Sequence, residues 1–285
     1  MLKIVEKKKI WFTVSLIVML IGLGFIIFRG LNFGIDFKGG TKIVLSYEKG
    51  FDKTEADKIV KEYMGDSVTN TIGEDQYEIK TAKLDSDAFE STLAELKDKC
   101  SVKDVVSENA VGASVGKDLT FNSLKALGIA FVAMLVYIAF RFEFRFGVAA
   151  LLALLHDVLI TISFYAIFDI TINSPFIAAI LTIIGYSINA TIVIFDRIRE
   201  NNKLMRRAKL EEIVNKSISS TMARSINTTL TTLFTIGAVL IFVPSVREFS
   251  LPITIGILTG TFSSICIAPS VYCLIKEKFP NKKKA

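Results

Sequence analysis

The chain has 285 residues, of which 51% are hydrophobic and 22% charged, and it carries a formal net charge of +6. The apolar residues are gathered into long runs, which excludes an ordinary soluble domain and points to a membrane protein. One His and three Cys, with Cys100, Cys266 and Cys273 far apart, exclude a disulfide framework and a metal centre, and no cofactor motif is present.

Six runs are long enough to cross a hydrocarbon core of about 30 Å as helices: about 11–28, 119–140, 146–168, 175–195, 225–243 and 251–275. Lys3, Lys7, Lys8 and Lys9 precede the first run, and Arg141 and Arg145 separate the second from the third. Arg197, Arg199, Lys203, Arg206, Arg207 and Lys209 follow the fourth, and Lys276, Lys278, Lys282, Lys283 and Lys284 follow the sixth. These segments alternate with base-poor ones, so both termini are expected in the cytoplasm and the polar block between helices one and two outside. The topology, with attraction to anionic lipid, accounts for the net charge and leaves no case for nucleic-acid binding. The first run lacks a small-residue cleavage site and is read as a retained anchor rather than a signal peptide.

Helix one leads into Gly30-Leu31-Asn32-Phe33-Gly34-Ile35-Asp36-Phe37-Lys38-Gly39-Gly40-Thr41, whose glycines allow a sharp turn out of the membrane, either as a plain hinge or with a specific role. The block that follows, 42–112, reads as strand, helix, strand, strand, helix, strand, a βαββαβ order that predicts a ferredoxin-like domain. Asp52 is a natural cap for a helix over 54–64, and Gly73-Glu74-Asp75-Gln76 a turn between two strands. No catalytic constellation stands out in this domain, so binding and relative movement are its expected uses. Residues 1–41 thus form the N-terminus, first span and glycine-rich exit, and 113–285 the remaining five spans with a cytoplasmic loop at about 196–224 and a basic tail.

Polar residues inside the spans carry most of the functional signal. His156 and Asp157 fall near the middle of helix three, where a charged carboxylate costs about 2.5–3.5 kcal/mol on insertion scales and so faces a partner or water, or takes up a proton. A His-Asp pair also occurs in metal-dependent phosphohydrolases, but those need several further ligands and this chain has no second His. Helix four contains Gly185-Tyr186-Ser187-Ile188-Asn189-Ala190-Thr191 and ends in Phe195-Asp196-Arg197-Ile198-Arg199-Glu200-Asn201. Its small and polar residues form either a packing seam or a polar face toward a partner helix, since lipid satisfies neither amides nor hydroxyls. Helix five opens with a hydroxyl-rich stretch around Arg224, which reads on its own as a snorkelling anchor, and helix six has Gly256, Gly260 and Ser264 at four-residue steps, a packing stripe. The connector over 202–220 has the pattern of an amphipathic interfacial helix.

These strings resemble the SecD/SecF family of the bacterial Sec protein-export machinery, and within it the smaller subunit. The exit string is similar to the family's GIDFxGG motif, with Asp36, Gly39 and Gly40 matching. Val111-Gly112-Ala113-Ser114-Val115-Gly116 is similar to its approach to helix two, with Ala113 in place of the usual Pro; Arg141-Phe142-Glu143-Phe144-Arg145-Phe146 and Leu154-Leu155-His156-Asp157-Val158 also match. Gly185 to Asn189 and Phe195 to Asn201, including Asp196 and Arg197, match the fourth-helix motif, except that Ala190 stands where the family carries Asp.

The resemblance implies a bacterial cytoplasmic-membrane subunit that, with SecD, couples the proton-motive force to late steps of protein export. It implies as partners SecD, the SecY/SecE/SecG translocon, YajC and YidC, and the exported unfolded polypeptide. It also places Arg224 at the arginine of a proton path; Asp157, His156, Ser187, Asn189 and Thr191 stand beside it as candidates for that path or as intramembrane polar groups. Two alternatives stay open: a passive scaffold of the translocon, and a small-molecule exporter related to resistance-nodulation-division pumps. Because Ala190 cannot titrate, Ser187, Asn189 and Thr191 are expected to keep a polar surface toward SecD, while the main proton carrier lies on SecD.

Overall fold

The computed structural model describes residues 3–279, apart from 66, 74, 83 and 142 and the side chains of 113, 139 and 141. Glu74 of the expected turn, Phe142, and the tail lysines Lys282, Lys283 and Lys284 lie outside the described residues. The contacts divide the chain into two units, one of Phe33–Lys125 with Thr171–Ser174, the other of Met1–Asn32, Ala126–Ile170 and Pro175–Ala285.

In the first unit a short helix α2 (Ile35–Lys38) runs through Gly39 into β1 (Gly40–Tyr47), followed by α3 (Lys53–Met64), β2 (Ser67–Ile72), β3 (Gln76–Thr81), α4 (Ser86–Lys99) and β4 (Val102–Val111). The sheet is fully antiparallel in the order β2-β3-β1-β4, which is the ferredoxin-like arrangement the βαββαβ pattern predicts. Both helices start on aspartates: Asp52 accepts from Thr54 N at 2.8 Å and Glu55 N at 3.3 Å, and Asp85 accepts from Asp87 N at 3.1 Å and Ala88 N at 3.4 Å. Alternate residues of the strands, Ile43, Leu45, Tyr77 and Ile79, form the core with Ala56, Ile59, Val60 and Leu96. The last strand reaches Val111 because it pairs along β1 as far as Gly40.

The second unit is built on six helices long and apolar enough to cross a membrane, as many as the sequence predicts. They are α1 (Lys8–Arg29), α5 (Ala113–Arg141), α6 (Phe144–Ile167), α7 (Ser174–Leu204), α8 (Leu210–Phe242), and a composite last span. That span comprises α9 (Arg247–Phe262), a π-helical stretch at Ser263–Ile267, and α10 (Ala268–Lys278). Pro269 has no N–H to offer the preceding turn and its ring crowds the carbonyl four residues back, so the wider π turn accommodates it. Helix α6 is among the most internal, burying Ala149, Ala150, Ala153, His156, Asp157, Ile160 and Thr161. By contrast α1, α5 and α8 expose rows of Leu, Ile, Val and Phe. Small residues set the close approaches: a Cβ on Gly256 would overlap the Ile183 side chain, and one on Gly260 would lie 3.1 Å from Ser187 Cβ.

The segment read as a cytoplasmic loop at about 196–224 is largely helical. Helix α7 continues to Leu204 and α8 begins at Leu210, so only 205–209 is non-helical there. At ~1.5 Å per residue the two helices run about 45–50 Å, well past a hydrocarbon core. The extensions persist because they are packed: Ile198, Ile213, Val214 and Ile218 are buried, and Asn201 Nδ2 donates to Ser217 Oγ at 2.8 Å. Asn215 also accepts from Ile4 N and Val5 N at 3.1 and 3.2 Å, tying the N-terminal turn to α8. The expected interfacial helix over 202–220 is therefore the buried first third of α8, with its apolar side turned to protein.

Candidate functional site

The polar residues of the spans gather at two places. The first is a closed network around Asp157, which is fully buried on α6. Its Oδ2 accepts from Ser187 Oγ of α7 at 2.5 Å and from Ser263 Oγ of the π stretch at 2.8 Å, while its Oδ1 lies 3.0 Å from His156 Nδ1. The other ring nitrogen of His156 is 2.8 Å from Ser15 Oγ on α1. Each ring nitrogen of His156 therefore faces a polar partner, Nδ1 the Asp157 carboxyl and Nε2 the Ser15 hydroxyl. Thr191 and Ser264 hydroxyls meet at 2.9 Å, and Ser264 Oγ reaches the Ser187 carbonyl at 3.3 Å, extending the chain of hydroxyls along α7. Four segments thus contribute to one intramembrane site in which a carboxylate and an imidazole lie within hydrogen-bond reach of each other and each has its own hydroxyl partners.

The π turn belongs to this geometry. Ala268 N–H bonds back to Ser263 O, one residue further than in an α-helix, in the stretch where Ser263 and Ser264 are both buried among polar partners. Gly260, one turn earlier, lies against Ser187, and its missing side chain lets the last span come close to α7, where Ser264 Oγ reaches the Ser187 carbonyl.

The second place is a cavity of about 100 Å³ lined by Tyr186, Asn189 and Ala190 of α7, Arg224, Thr228 and Thr229 of α8, and Thr261 and Ser264. Asn189 is exposed and Ala190 half-buried, whereas Ser187 and Thr191 are buried. The expectation that Ser187, Asn189 and Thr191 share one polar face toward a partner is therefore corrected. A helix turns about 100° per residue, so Ser187 and Thr191 point into the bundle while Asn189 points away from it. Arg224 also lines a wider cleft of about 590 Å³ beside Asp196, Arg197, Glu200, Lys203 and Ser220. There Arg197 pairs with Glu200 at 2.7 Å and donates to Ser220 Oγ at 3.1 Å, and Arg199 pairs with Asp196 at 3.1 Å.

Of the remaining sequence candidates, Gly185 is exposed on α7 with open space where a Cβ would stand. Gly39 and Gly40 have φ of +80° and +138°, which only glycine adopts without strain, and flank the turn from α2 into β1. Asp36 lies on α2 and accepts from the backbone N–H of Ser174 at 2.7 Å. Sequence reasoning singled out neither Ser15 nor Ser263. Ser15 is a lone serine in an apolar run and Ser263 stands beside Ser264, and by pattern neither can be told from a serine folded back on its own helix carbonyl. Among the described residues no group of three or more His, Cys, Asp or Glu could hold a metal ion.

Comparison with known proteins gives a consistent result. The family described as "Protein export membrane protein SecD/SecF, C-terminal" matches residues 90–278, and the "SecD/SecF GG Motif" matches residues 24–50. The protein translocase subunit SecF of Sebaldella termitidis is 39% identical over 99% of this chain and 95% of its own length. The protein translocase subunit SecDF of Bacillus subtilis is 35% identical over 98% of this chain, which covers 39% of that longer protein. The crystal structure of SecDF from Thermus thermophilus, a translocon-associated membrane protein, superposes with a TM-score of 0.88 at 33% identity, over 97% of this chain and 39% of that one.

Proposed function

This chain belongs to the SecD/SecF family of protein-export membrane proteins, and on that premise we propose that it is an accessory subunit of the Sec translocase. With SecD it couples the proton-motive force to late steps of export across the bacterial cytoplasmic membrane, with both termini cytoplasmic. The partnership is supported by the fused relatives, in which this chain matches 39% of one longer polypeptide. The SecY/SecE/SecG translocon, YajC and YidC are further partners of the assembly so proposed.

The observation that carries the coupling is the enclosed site of Ser15, His156, Asp157, Ser187 and Ser263. A buried carboxylate within the span is costly unless satisfied, and here hydroxyls and an imidazole supply partners able to receive or pass a proton. Ala190 and Arg224 line the other cavity, where no group from position 190 titrates; in the proposed complex SecD presents the carboxylate that Arg224 faces.

The test measures gradient-dependent export in inverted vesicles carrying the whole complex. Asp157→Asn keeps shape and most hydrogen bonds but cannot ionise, and export should lose its response to the proton gradient. Ala190→Asp should leave the wild-type response in place if SecD holds the main carrier. An Asp157→Asn complex with a full gradient response sinks the assignment of this site, and a wild type without any response supports the passive scaffold instead.

A further inference from the structure

We propose that Asp36 is the N-cap of α7, supplied from 138 residues away, and that it is a positioning residue fixing where that helix starts. Locally the sequence offers Asn173 for this task, immediately before Ser174-Pro175, and Asn is among the best N-caps. The structure uses it otherwise. Asn173 is buried against Gly34, where any Cβ would overlap its Oδ1, and among the described residues that oxygen has no hydrogen-bond partner. Asp36 takes the role instead, its Oδ2 accepting from Ser174 N–H at the positive end of α7.

Everything around Asp36 holds it in that place. Gly34 N–H donates to the Ile172 carbonyl at 2.9 Å, and Phe33 and Ile172 form a parallel β-bridge, so the exit strand lies along the segment that leads into α7. On its other side α2 meets Gly116 of α5, where a Cβ would stand 2.6 Å from Phe37 O, and just past it Gly40 of β1 lies against β3, where a Cβ would stand 2.6 Å from Thr81 O and 3.1 Å from the Ile35 side chain. Glycines at 34, 40 and 116 are thus places where backbone meets backbone or a buried amide, which gives the glycine-rich motif a role beyond that of a hinge. Only Gly39 separates α2 from β1, so a displacement of the sheet moves Asp36 and opens or closes the cap on α7.

The proposal deepens the coupling reading, since α7 carries Ser187 and Asn189, but it is tested without assuming it. In the full complex, Asp36→Ala should speed hydrogen exchange of the Ser174 amide by about ten-fold, the effect of losing one cap. It should also change maleimide labelling of a cysteine at Asn189 several-fold, and Asp36→Asn, which keeps an acceptor, should restore both. Gly34→Ala leaves Asp36 intact but forces the strands apart, and it should give the same labelling change if Asp36→Ala fails to accumulate. Unchanged exchange in Asp36→Ala, or faster exchange with labelling at 189 as in the wild type, overturns the proposal. If wild-type export shows no response to the gradient, the coupling reading falls while exchange and labelling still decide the role of Asp36.

Discussion

Asp157 is fully buried, yet among the described residues its ionic partner is a histidine and not a lysine or arginine. Its charge is met by dipoles, those of the Ser187 and Ser263 hydroxyls and the His156 ring, an arrangement that tolerates a change of protonation better than a fixed ion pair does. Removing one donor exposes the reason for it. Ser187→Ala or Ser263→Ala should each destabilise the folded protein by about 1–3 kcal/mol, because a buried acceptor is left short of a partner. Thermal unfolding in detergent checks this, and in an Asp157→Asn background the loss should shrink, since the neutral amide demands less of its surroundings. Equal losses in both backgrounds would mean that the serines act through packing alone.

At the scale of elements, the sheet holds a charge cluster that reports on pH. Glu78 on β3 is buried, which favours its neutral form, but Lys42 on β1 at 2.7 Å and Lys80 at 2.8 Å outweigh burial and hold its carboxyl below the usual range. A carboxylate depressed in the folded state adds stability that is present above its unfolded pKa of about 4.3 and is lost as pH falls through the folded value. Unfolding measured between neutral pH and about pH 3 should therefore show an acid-side loss that Glu78→Gln flattens. A variant with the wild-type acid slope would remove Glu78 from the account.

For the whole molecule, the faces of α7 and α8 at the 100 Å³ cavity decide where a partner helix belongs. The exposed Thr228 and Thr231 hydroxyls donate to carbonyls of their own helix, but Asn189 and Asn227 are exposed amides beside exposed apolar residues such as Leu230 and Phe234. Lipid offers such groups no hydrogen bonds, so they face water or protein. A cysteine at Asn189 or Thr228 should crosslink to the fourth helix of SecD, whereas one at Ser187 should not, being enclosed within its own bundle. Crosslinking from Ser187 with none from Asn189 would reverse the orientation of α7 in the complex.

Much of this protein is decided locally. Long apolar runs made six spans legible, though not the helical extensions of α7 and α8 beyond them; period-two and helical patterns pointed to the βαββαβ domain, and Asp52 could be read as a cap because capping acts within three residues. The motif strings carried the family, since they are short, contiguous and in order. Which side of each span faces inward was not legible. In a soluble helix the apolar stripe marks the core, but here lipid and bundle interior are equally apolar, so pattern alone could not separate Ser187 and Thr191 from Asn189. The same holds for partners distant in the chain, Ser15 with His156 across 141 residues and Asp36 with Ser174 across 138. Tertiary packing chose them because a buried polar group in a membrane must find its partner wherever the fold brings one within reach.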